Sequence, residues 1–176
     1  MYKRQIDEYL KEKIFTKAKL FNTYVNDEGK TIIPNRAYGH IISNNQLIVK
    51  DQYWCSATIG DGGLYSNIID LNRWIDYLLN DVFDKLKSTM FLPNVFDEKT
   101  QSYYGLGIRI INVNGCDIYY HCGDTIGTNT FILFSKDLNL RCIFLTNMGN
   151  IDTENLKENI IPVSYTHLRA HETKAN

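Results

Sequence analysis

The stretch from residue 119 to residue 147 constrains the fold more than any other, because it predicts three successive β-strands. Two of its runs are rich in aromatic and β-branched residues, and they flank a polar turn that contains Ser135, Lys136 and Asp137. A polar turn between two such runs is typical of a β-hairpin. Residues 131–134 are continuously apolar, so we expect both faces of their strand to be covered.

One histidine in this stretch has the surroundings expected of an active-site wall. His121 stands two residues before Gly123, and Gly127 follows a few residues later. Glycine has no side chain, so it lets other atoms approach the backbone closely. We therefore expect a strand that presents His121 to a substrate beside these glycines. The competing interpretation is a strand-end histidine whose ring is hydrogen-bonded by the backbone.

Length, composition and charge exclude several classes of protein. A chain of 176 residues that is 44% hydrophobic and 12% aromatic can form a globular domain with its own core. A formal net charge of −1 gives no electrostatic basis for binding nucleic acid or an anionic membrane. No apolar run reaches membrane-spanning length, and Met1 leads directly into a charged helical pattern without a signal peptide. We expect neither a nucleic-acid partner nor a membrane segment.

The cysteines do not form a metal-binding pattern. The chain has four, Cys55, Cys116, Cys122 and Cys142, and no pair has C-x-x-C spacing. His121 and Cys122 are adjacent in a predicted strand and therefore point to opposite faces of the sheet. We expect no metal site.

Helices are predicted on both sides of the sheet-forming stretch. Apolar residues recur at helical spacing from Ile6 to Ile14. After a glycine-rich turn, Asn67 is a suitable N-cap for a strongly apolar helix that extends to about Phe83. A last helix is predicted from Thr153 to Ile161, capped by Asp152 or Thr153.

The segments between these helices and the sheet have weaker signals. We predict, in order, a loop over residues 34–40, a short strand over 46–49, a linker over 85–100 and a strand over 104–112. A tight turn at Asn114 and Gly115 then leads to the strand that carries His121.

The last fourteen residues, 163–176, differ in character from the rest. They resemble the translated read-through of a transposon-end sequencing adapter, and they have neither periodicity nor turn signals. They contain His167 and His171, whose spacing of four imitates a helical metal pair. We interpret residues 163–176 as a non-native tail and residues 1–162 as the domain.

Short blocks of the sequence, taken together, resemble the serine β-lactamase-related family, which includes class C β-lactamases, DD-peptidases and related esterases and D-aminopeptidases. The blocks are residues 8–15 with Asn22-Thr23, Arg36-Ala-Tyr-Gly39, residues 61–74, Tyr104-Gly-Leu-Gly107, and His121-Cys-Gly123 with Gly127 and Leu145-Thr-Asn147. Their order and spacing make the resemblance specific. Residues 16–20 depart from it, because family members usually carry a Pro-Leu-Gly-Met-like run there.

The resemblance implies an α+β fold, namely a partial β-lactamase/transpeptidase-like fold with an antiparallel sheet, packed helices and missing N-terminal strands. Residues 1–162 would be the C-terminal part of such a domain. The implied reaction of the parent protein is acyl transfer from an amide or ester to water through a serine acyl-enzyme, without a cofactor. Its substrate would be a small molecule or a peptide.

The family's chemistry uses three motifs, and the sequence contains one of them at the expected place. No serine is followed by lysine at the third position, so the Ser-x-x-Lys nucleophile motif is not found. Tyr24-Val-Asn26 and Tyr65-Ser-Asn67 match the second motif, Tyr-x-Asn, but both lie at the wrong place in the block order. We interpret them as structural residues, and we expect the chain alone to be inactive.

The third motif, Lys-Thr-Gly or His-x-Gly, provides the site residues. By resemblance, His121 forms hydrogen bonds near the nucleophile or to a substrate carboxylate, and Gly123 and the backbone N–H of Asp124 belong to the oxyanion hole. Histidine in place of lysine favours a peptidase, amidase or esterase over a strict β-lactamase. We interpret the side chains of Asp61 and Asp124 as turn residues and His40 as a loop histidine.

Two other hypotheses compete with the hydrolase. One is a non-catalytic binding or regulatory module of the same fold that has lost the nucleophile. The other is an unrelated α+β domain in which the short blocks are chance matches. The sequence upstream of Met1 discriminates between the first of these and the hydrolase.

Overall fold

A computed structural model of the protein describes residues 2–26, 31–52, 59–153, 155–156 and 158–162. Its α-helices are α1 Tyr2–Leu10, α2 Thr16–Ala18, α3 Ile68–Asp76 and α4 Phe83–Leu86, and π-helical turns lie at Lys11–Phe15 and Tyr77–Val82. Residues 153, 155, 156 and 158–162 are also helical. Its strands are β1 Tyr24–Val25, β2 His40–Ser43, β3 Gln46–Val49, β4 Leu64–Tyr65, β5 Val95–Asp97, β6 Ser102–Tyr104, β7 Arg109–Val113, β8 Cys116–Thr125, β9 Thr128–Ser135 and β10 Leu140–Thr146.

The main sheet has six strands in the order β10-β9-β8-β7-β6-β5, so each strand neighbours the next one in the chain. The pairs from β5 to β8 are antiparallel. The three strands predicted over residues 119–147 are therefore confirmed. The mixture of helices with an antiparallel sheet also confirms the α+β class.

The chain divides into two compact units. The first consists of Met1–Val82, Gly123–Thr130 and Ile143–Asn150, and the second consists of Phe83–Cys122, Phe131–Cys142 and Ile151–Asn176.

In the first unit, the predicted N-terminal helix is longer than expected. It continues through the π-helical turn to Ala18 and ends at Lys19, whose φ of 57° is left-handed. Phe15 and Ala18 join Leu20 and Val25 in a buried cluster. At the N-terminal end of the predicted apolar stripe, by contrast, Ile6 is exposed.

The second predicted helix begins where its cap predicts. The side chain of Asn67 accepts a hydrogen bond from the backbone N–H of Asp70 at 2.9 Å, which satisfies one of the donors that a helix start leaves free. The helix continues through Tyr77–Val82 and α4, three residues beyond the expected end. The predicted strand over residues 46–49 is confirmed. Its partner β2 begins at His40, the last residue of the predicted loop, and continues through Ser43, where the sequence predicts no strand.

In the second unit, two predictions about strands are wrong. The expected linker over residues 85–100 contains β5, and the single strand expected over 104–112 is divided into β6 and β7. The division falls at two glycines. A Cβ on Gly105 would lie 2.1 Å from the backbone oxygen of Met90, and Gly107 has a φ of +72°, so both positions favour glycine.

The tight turn between β7 and β8 is confirmed. Asn114 and Gly115 have φ angles of 52° and 87°, as the two central residues of a type I′ hairpin turn require. The core of this unit contains three packed aromatic rings, with centroids 4.9 Å apart for Phe91 and Tyr119 and 5.5 Å apart for Tyr119 and Phe134. Residues 131, 133 and 134 are buried, as predicted for a strand covered on both faces.

The last helix is capped by Asp152, whose carboxylate accepts a hydrogen bond from the backbone N–H of Asn155 at 2.9 Å. Among the described helices, none has the length and apolar character needed to cross a bilayer. The positions of Cys55 and of the predicted tail over residues 163–176, with His167 and His171, lie outside the described residues.

Candidate functional site

Strand β8 carries the three residues assigned to the site from the sequence. The strand runs from Cys116 to Thr125, and its first half is largely buried. From His121 onward the side chains become partly exposed, and Asp124 is exposed. The strand thus leads out of the core at the His-x-Gly motif, which is where a substrate-facing group is expected.

The imidazole of His121 is held by another side chain. Its Nε2 lies 3.0 Å from the hydroxyl oxygen of Tyr104, within hydrogen-bonding distance. The two ring centroids are 6.0 Å apart and the ring planes meet at 63°. His121 is therefore neither enclosed in an apolar layer nor bonded to the backbone at this nitrogen.

Tyr104 is in turn packed against an anchored arginine. The guanidinium carbon of Arg109 lies 5.2 Å from the centroid of the Tyr104 ring, a distance typical of a cation–π contact. Arg109 donates hydrogen bonds to Asp97 and to Thr100, each at 2.8 Å. The bond from Arg109 is the main reason why the pKa of Asp97 is lowered from 3.8 to about 2.

Gly123 and Asp124 are held by the neighbouring strand β9. A Cβ on Gly123 would lie 2.5 Å from the hydroxyl oxygen of Thr130, so a side chain here would collide with that of Thr130. The carboxylate of Asp124 accepts a hydrogen bond from the side-chain amide of Asn129 at 3.0 Å. Asp124 belongs to β8, so our interpretation of it as a turn residue is wrong.

Gly127 allows a close approach, and the approaching group is the chain's own backbone. A Cβ at this position would lie 1.9 Å from the backbone oxygen of Lys50 and 2.8 Å from backbone atoms of Gly39. The N–H of His40 donates to the backbone oxygens of Gly127 at 3.1 Å and Asn147 at 2.9 Å. His40 begins β2 and is thus a strand residue, which corrects the prediction of a loop histidine.

The two literal Tyr-x-Asn matches meet each other in the first unit. Tyr24 of β1 is the direct antiparallel partner of Tyr65 of β4. Asn67 caps α3, and the amide of Asn26 donates to the side chain of Gln52 at 3.4 Å. Both asparagines thus have structural partners.

Sequence reasoning identified His121 but missed its partner. Tyr104 was noted as the first residue of a Tyr-Gly-Leu-Gly block, and no local pattern links it to a residue 17 positions later. Its contact depends on the pairing of β6 with β7 and of β7 with β8. Among the described residues, no group of three or more His, Cys, Asp and Glu side chains is arranged to hold a metal ion.

Comparison with known proteins identifies the family. The sequence profile described as Beta-lactamase matches residues 1–160. The chain belongs to the beta-lactamase family. A search of curated proteins found no match to the chain.

Solved structures of other proteins share the beta-lactamase-type fold with this chain. One is a penicillin-binding protein from Bacillus halodurans, with a TM-score of 0.73 and 19% identity, covering 86% of this chain and 48% of its own. Another is an octameric penicillin-binding protein homologue from Pyrococcus abyssi, with a TM-score of 0.65 and 21% identity, covering 81% and 33%. A D-stereospecific amidohydrolase from Streptomyces sp. has a TM-score of 0.57 and 16% identity, covering 74% and 40%. The chain thus spans about half the length of the Bacillus halodurans protein, or less for the others.

Proposed function

We propose that this chain is part of a serine hydrolase that transfers an acyl group from an amide or ester to water through a serine acyl-enzyme. The observation that carries the proposal is the side-chain-anchored imidazole of His121 on β8, followed along the strand by Gly123 and Asp124. Membership of the beta-lactamase family over residues 1–160 supports the same reaction class.

In this proposal each motif residue has a separate role. His121 forms a hydrogen bond to the substrate, near the serine that attacks it. The backbone N–H of Asp124 donates to the oxyanion that develops on the substrate's carbonyl oxygen. Gly123 leaves room for the side chain of Thr130 on the next strand. The reaction requires no metal ion or cofactor, because the serine, its base and the oxyanion hole supply its chemistry.

The nucleophile comes from another polypeptide segment in this proposal. None of the chain's serines is followed by lysine at the third position, so the sequence contains no Ser-x-x-Lys motif to supply the nucleophile and its base. Without the nucleophile and its base, only substrate binding and oxyanion stabilisation remain. We therefore expect the chain by itself to hydrolyse neither amides nor esters.

We favour an amide of a small amino acid or peptide as the substrate. Histidine stands where strict β-lactamases carry lysine in the third motif. Two proteins of similar fold, the amidohydrolase from Streptomyces and a D-amino acid amidase from Ochrobactrum anthropi with a TM-score of 0.54, are named as amide-hydrolysing enzymes. These names support an acyclic amide, rather than a β-lactam, as the substrate.

The test compares this chain with the contiguous reading frame upstream of it. We expect the upstream segment to contain Ser-x-x-Lys followed by Tyr-x-Asn, and the longer protein to hydrolyse p-nitrophenyl esters and D-amino acid amides. In the longer protein, His121→Ala should lower kcat by about 100-fold or more. The matched control is His40→Ala, which removes another partly buried strand histidine and should leave kcat near the wild-type value.

Two results would contradict the proposal. Serine-dependent turnover by this chain alone would show that the nucleophile lies within it. An upstream frame without Ser-x-x-Lys would instead favour the non-catalytic binding module.

A further inference from the structure

The hydrogen bond between the hydroxyl of Tyr104 and Nε2 of His121 bears on which ring nitrogen of His121 carries the proton. We propose that Tyr104 is a positioning residue that locks neutral His121 in the tautomer protonated at Nδ1. The tautomer follows from the hydrogen bond alone. Its consequence for catalysis rests on the proposed function.

The direction of the hydrogen bond follows from the chemistry of the two groups. A phenol hydroxyl can donate or accept, and a neutral imidazole has one donor nitrogen and one acceptor nitrogen. The unprotonated imidazole nitrogen is a much stronger base than a phenol oxygen, so the favoured arrangement has the hydroxyl of Tyr104 donating to Nε2 at 3.0 Å. The hydrogen bond made by one ring nitrogen decides which nitrogen carries the proton. Nδ1 therefore carries it.

The hydroxyl is held in place because the Tyr104 ring is held. Arg109 lies over that ring at 5.2 Å, and the guanidinium is fixed by hydrogen bonds to Asp97 and Thr100 at 2.8 Å each. The four residues of this connected series lie on four successive strands of the sheet, with Asp97 on β5, Tyr104 on β6, Arg109 on β7 and His121 on β8. A hydroxyl fixed in this way is a stable partner for Nε2.

The locked tautomer gives the ring a defined function. A carbonyl oxygen or carboxylate of a substrate needs a hydrogen-bond donor, and a neutral imidazole offers one only on its protonated nitrogen. With Nε2 engaged by Tyr104, the proton stands on Nδ1, the other nitrogen. The ring is thus prepared as a donor before the substrate arrives, which avoids reorganisation during the reaction.

The direct test is the tautomer itself. The full chain is labelled with ¹⁵N-histidine, and long-range ¹H–¹⁵N spectra are recorded at about pH 8.5, where imidazole groups are ordinarily neutral. The signals of His121 are assigned by their loss in His121→Gln. If the protein associates at the concentration required, the same ¹⁵N shifts are measured on sedimented protein in the solid state.

We expect an unprotonated, hydrogen-bonded Nε2 and a protonated Nδ1 for His121. In Tyr104→Phe, which removes only the hydroxyl oxygen, the shifts should move toward the Nε2-protonated form that predominates in free histidine. The matched control is Tyr103→Phe. Tyr103 is the neighbouring tyrosine, is 46% exposed and packs on Phe96 at 5.1 Å, so its variant should keep the wild-type shifts.

The inference is overturned if wild-type His121 is protonated at Nε2, a result that needs no variant and so does not depend on whether Tyr104→Phe folds. It is also overturned if Tyr104→Phe folds and keeps the wild-type tautomer.

A second measurement separates this inference from the proposed function. In the longer protein that contains the nucleophile, Tyr104→Phe should lower kcat roughly 10-fold with little change in KM, while Tyr103→Phe changes neither. If His121→Ala has no effect on turnover but the tautomer is locked, the proposed function fails and the inference stands. If His121→Ala abolishes turnover but the tautomer is unaffected by Tyr104→Phe, the inference alone fails.

Discussion

The hairpin of β7 and β8 and the crossing of Gly39 with Gly127 are two places where the backbone comes close to itself, and they are built differently. In the hairpin, residues pair with near neighbours in the chain, from Val113 with Cys116 outward across a two-residue turn. In the crossing, backbone atoms from distant parts of the sequence come within contact distance, joined by the bond from the N–H of His40 to the oxygen of Gly127.

The difference shows how far local chemistry determines each region. A type I′ hairpin needs two turn residues that adopt positive φ and two runs of strand-forming residues, and all of these are visible in a short window of sequence. The crossing needs a missing side chain at a point that is set by the rest of the fold. We expect substitutions in the crossing to be the more damaging, and three glycines allow a graded test.

The largest effect is expected for Gly127→Ala. The added Cβ would lie 1.9 Å from the backbone oxygen of Lys50, and the residue has a φ of +73°. The backbone of Lys50 has little freedom to move away from the added Cβ. The steric collision and the strain of a positive φ at a non-glycine residue therefore both destabilise the fold. We expect the free energy of unfolding, measured by urea denaturation, to fall by about 3 kcal/mol or more.

Gly62→Ala is the matched control for this variant. A Cβ there has no described atom within 4 Å, and the backbone is not in the left-handed region. Its free energy of unfolding should stay within about 0.5 kcal/mol of wild type. Equal losses in the two variants would show that the crossing is not a point of tight packing.

A comparable long-range contact is made by the carboxylate of Asp70. This side chain is fully buried, and it accepts hydrogen bonds from the backbone N–H of Asn22 at 2.6 Å, the hydroxyl of Thr23 at 3.0 Å and Arg73 at 3.0 Å. Asp70→Ala leaves these donors without their acceptor, so we expect a loss of about 3 kcal/mol in the free energy of unfolding. Asp61→Ala, at an exposed aspartate, should change it by less than about 0.5 kcal/mol.

A smaller effect is expected within the hairpin for Gly115→Ala. The φ of Gly115 is +87°, but an added Cβ has no described atom within 4 Å, so strain acts without collision. We expect a loss of about 1 kcal/mol in the urea-derived free energy. Asn114→Gly at the preceding position should be nearly neutral, because glycine also adopts the required positive φ. A loss as large as that of Gly127→Ala would remove the distinction between the two regions.

The smallest effect concerns the ion pair of Asp97 with Arg109, and it depends on pH. The folded pKa of Asp97 is about 2, below its ordinary value of 3.8. A carboxyl group whose pKa is lowered by folding stabilises the protein above the unfolded pKa, and this stabilisation is lost as the pH falls through the folded pKa. Between about pH 4 and pH 2, the urea midpoint should therefore fall more steeply for wild type than for Asp97→Asn.

The control for this titration is Glu98→Gln, which changes the adjacent exposed carboxylate. It should keep the wild-type steepness over the same pH range. If Asp97→Asn and wild type have the same pH dependence, the bond between Asp97 and Arg109 does not contribute in solution.

The elements that the sequence predicted are those with strong local signals. The hairpin at Asn114, the cap at Asn67 and the strands after residue 116 all follow from residues within a few positions of each other. β2, with four residues, and β5, with three, are too short for an alternating pattern to be recognised, and their assignment depends on the strands beside them. The division between β6 and β7 depends on the tight contact of Gly105 with the backbone of Met90.

The candidate site divides in the same way. His121 and Gly123 are found from a motif of three residues and its order among other blocks. Tyr104 belongs to the site because β6, β7 and β8 are adjacent in the sheet. This adjacency brings its hydroxyl within hydrogen-bonding distance of Nε2 of His121.

The sequence by itself determined the strand that carries the His-x-Gly motif, the hairpin turn at Asn114 and the cap at Asn67, since turns, caps and strand-forming runs are short-range properties. The family and the α+β class followed from the order of the motif blocks that the sequence shares with that family. The tertiary structure decided which groups surround that motif, including the hydroxyl that holds His121 and the backbone that crosses Gly127. The physical reason is that these contacts join residues through strand pairing and close packing. Such contacts leave no local pattern, because each partner's position is set by the whole fold.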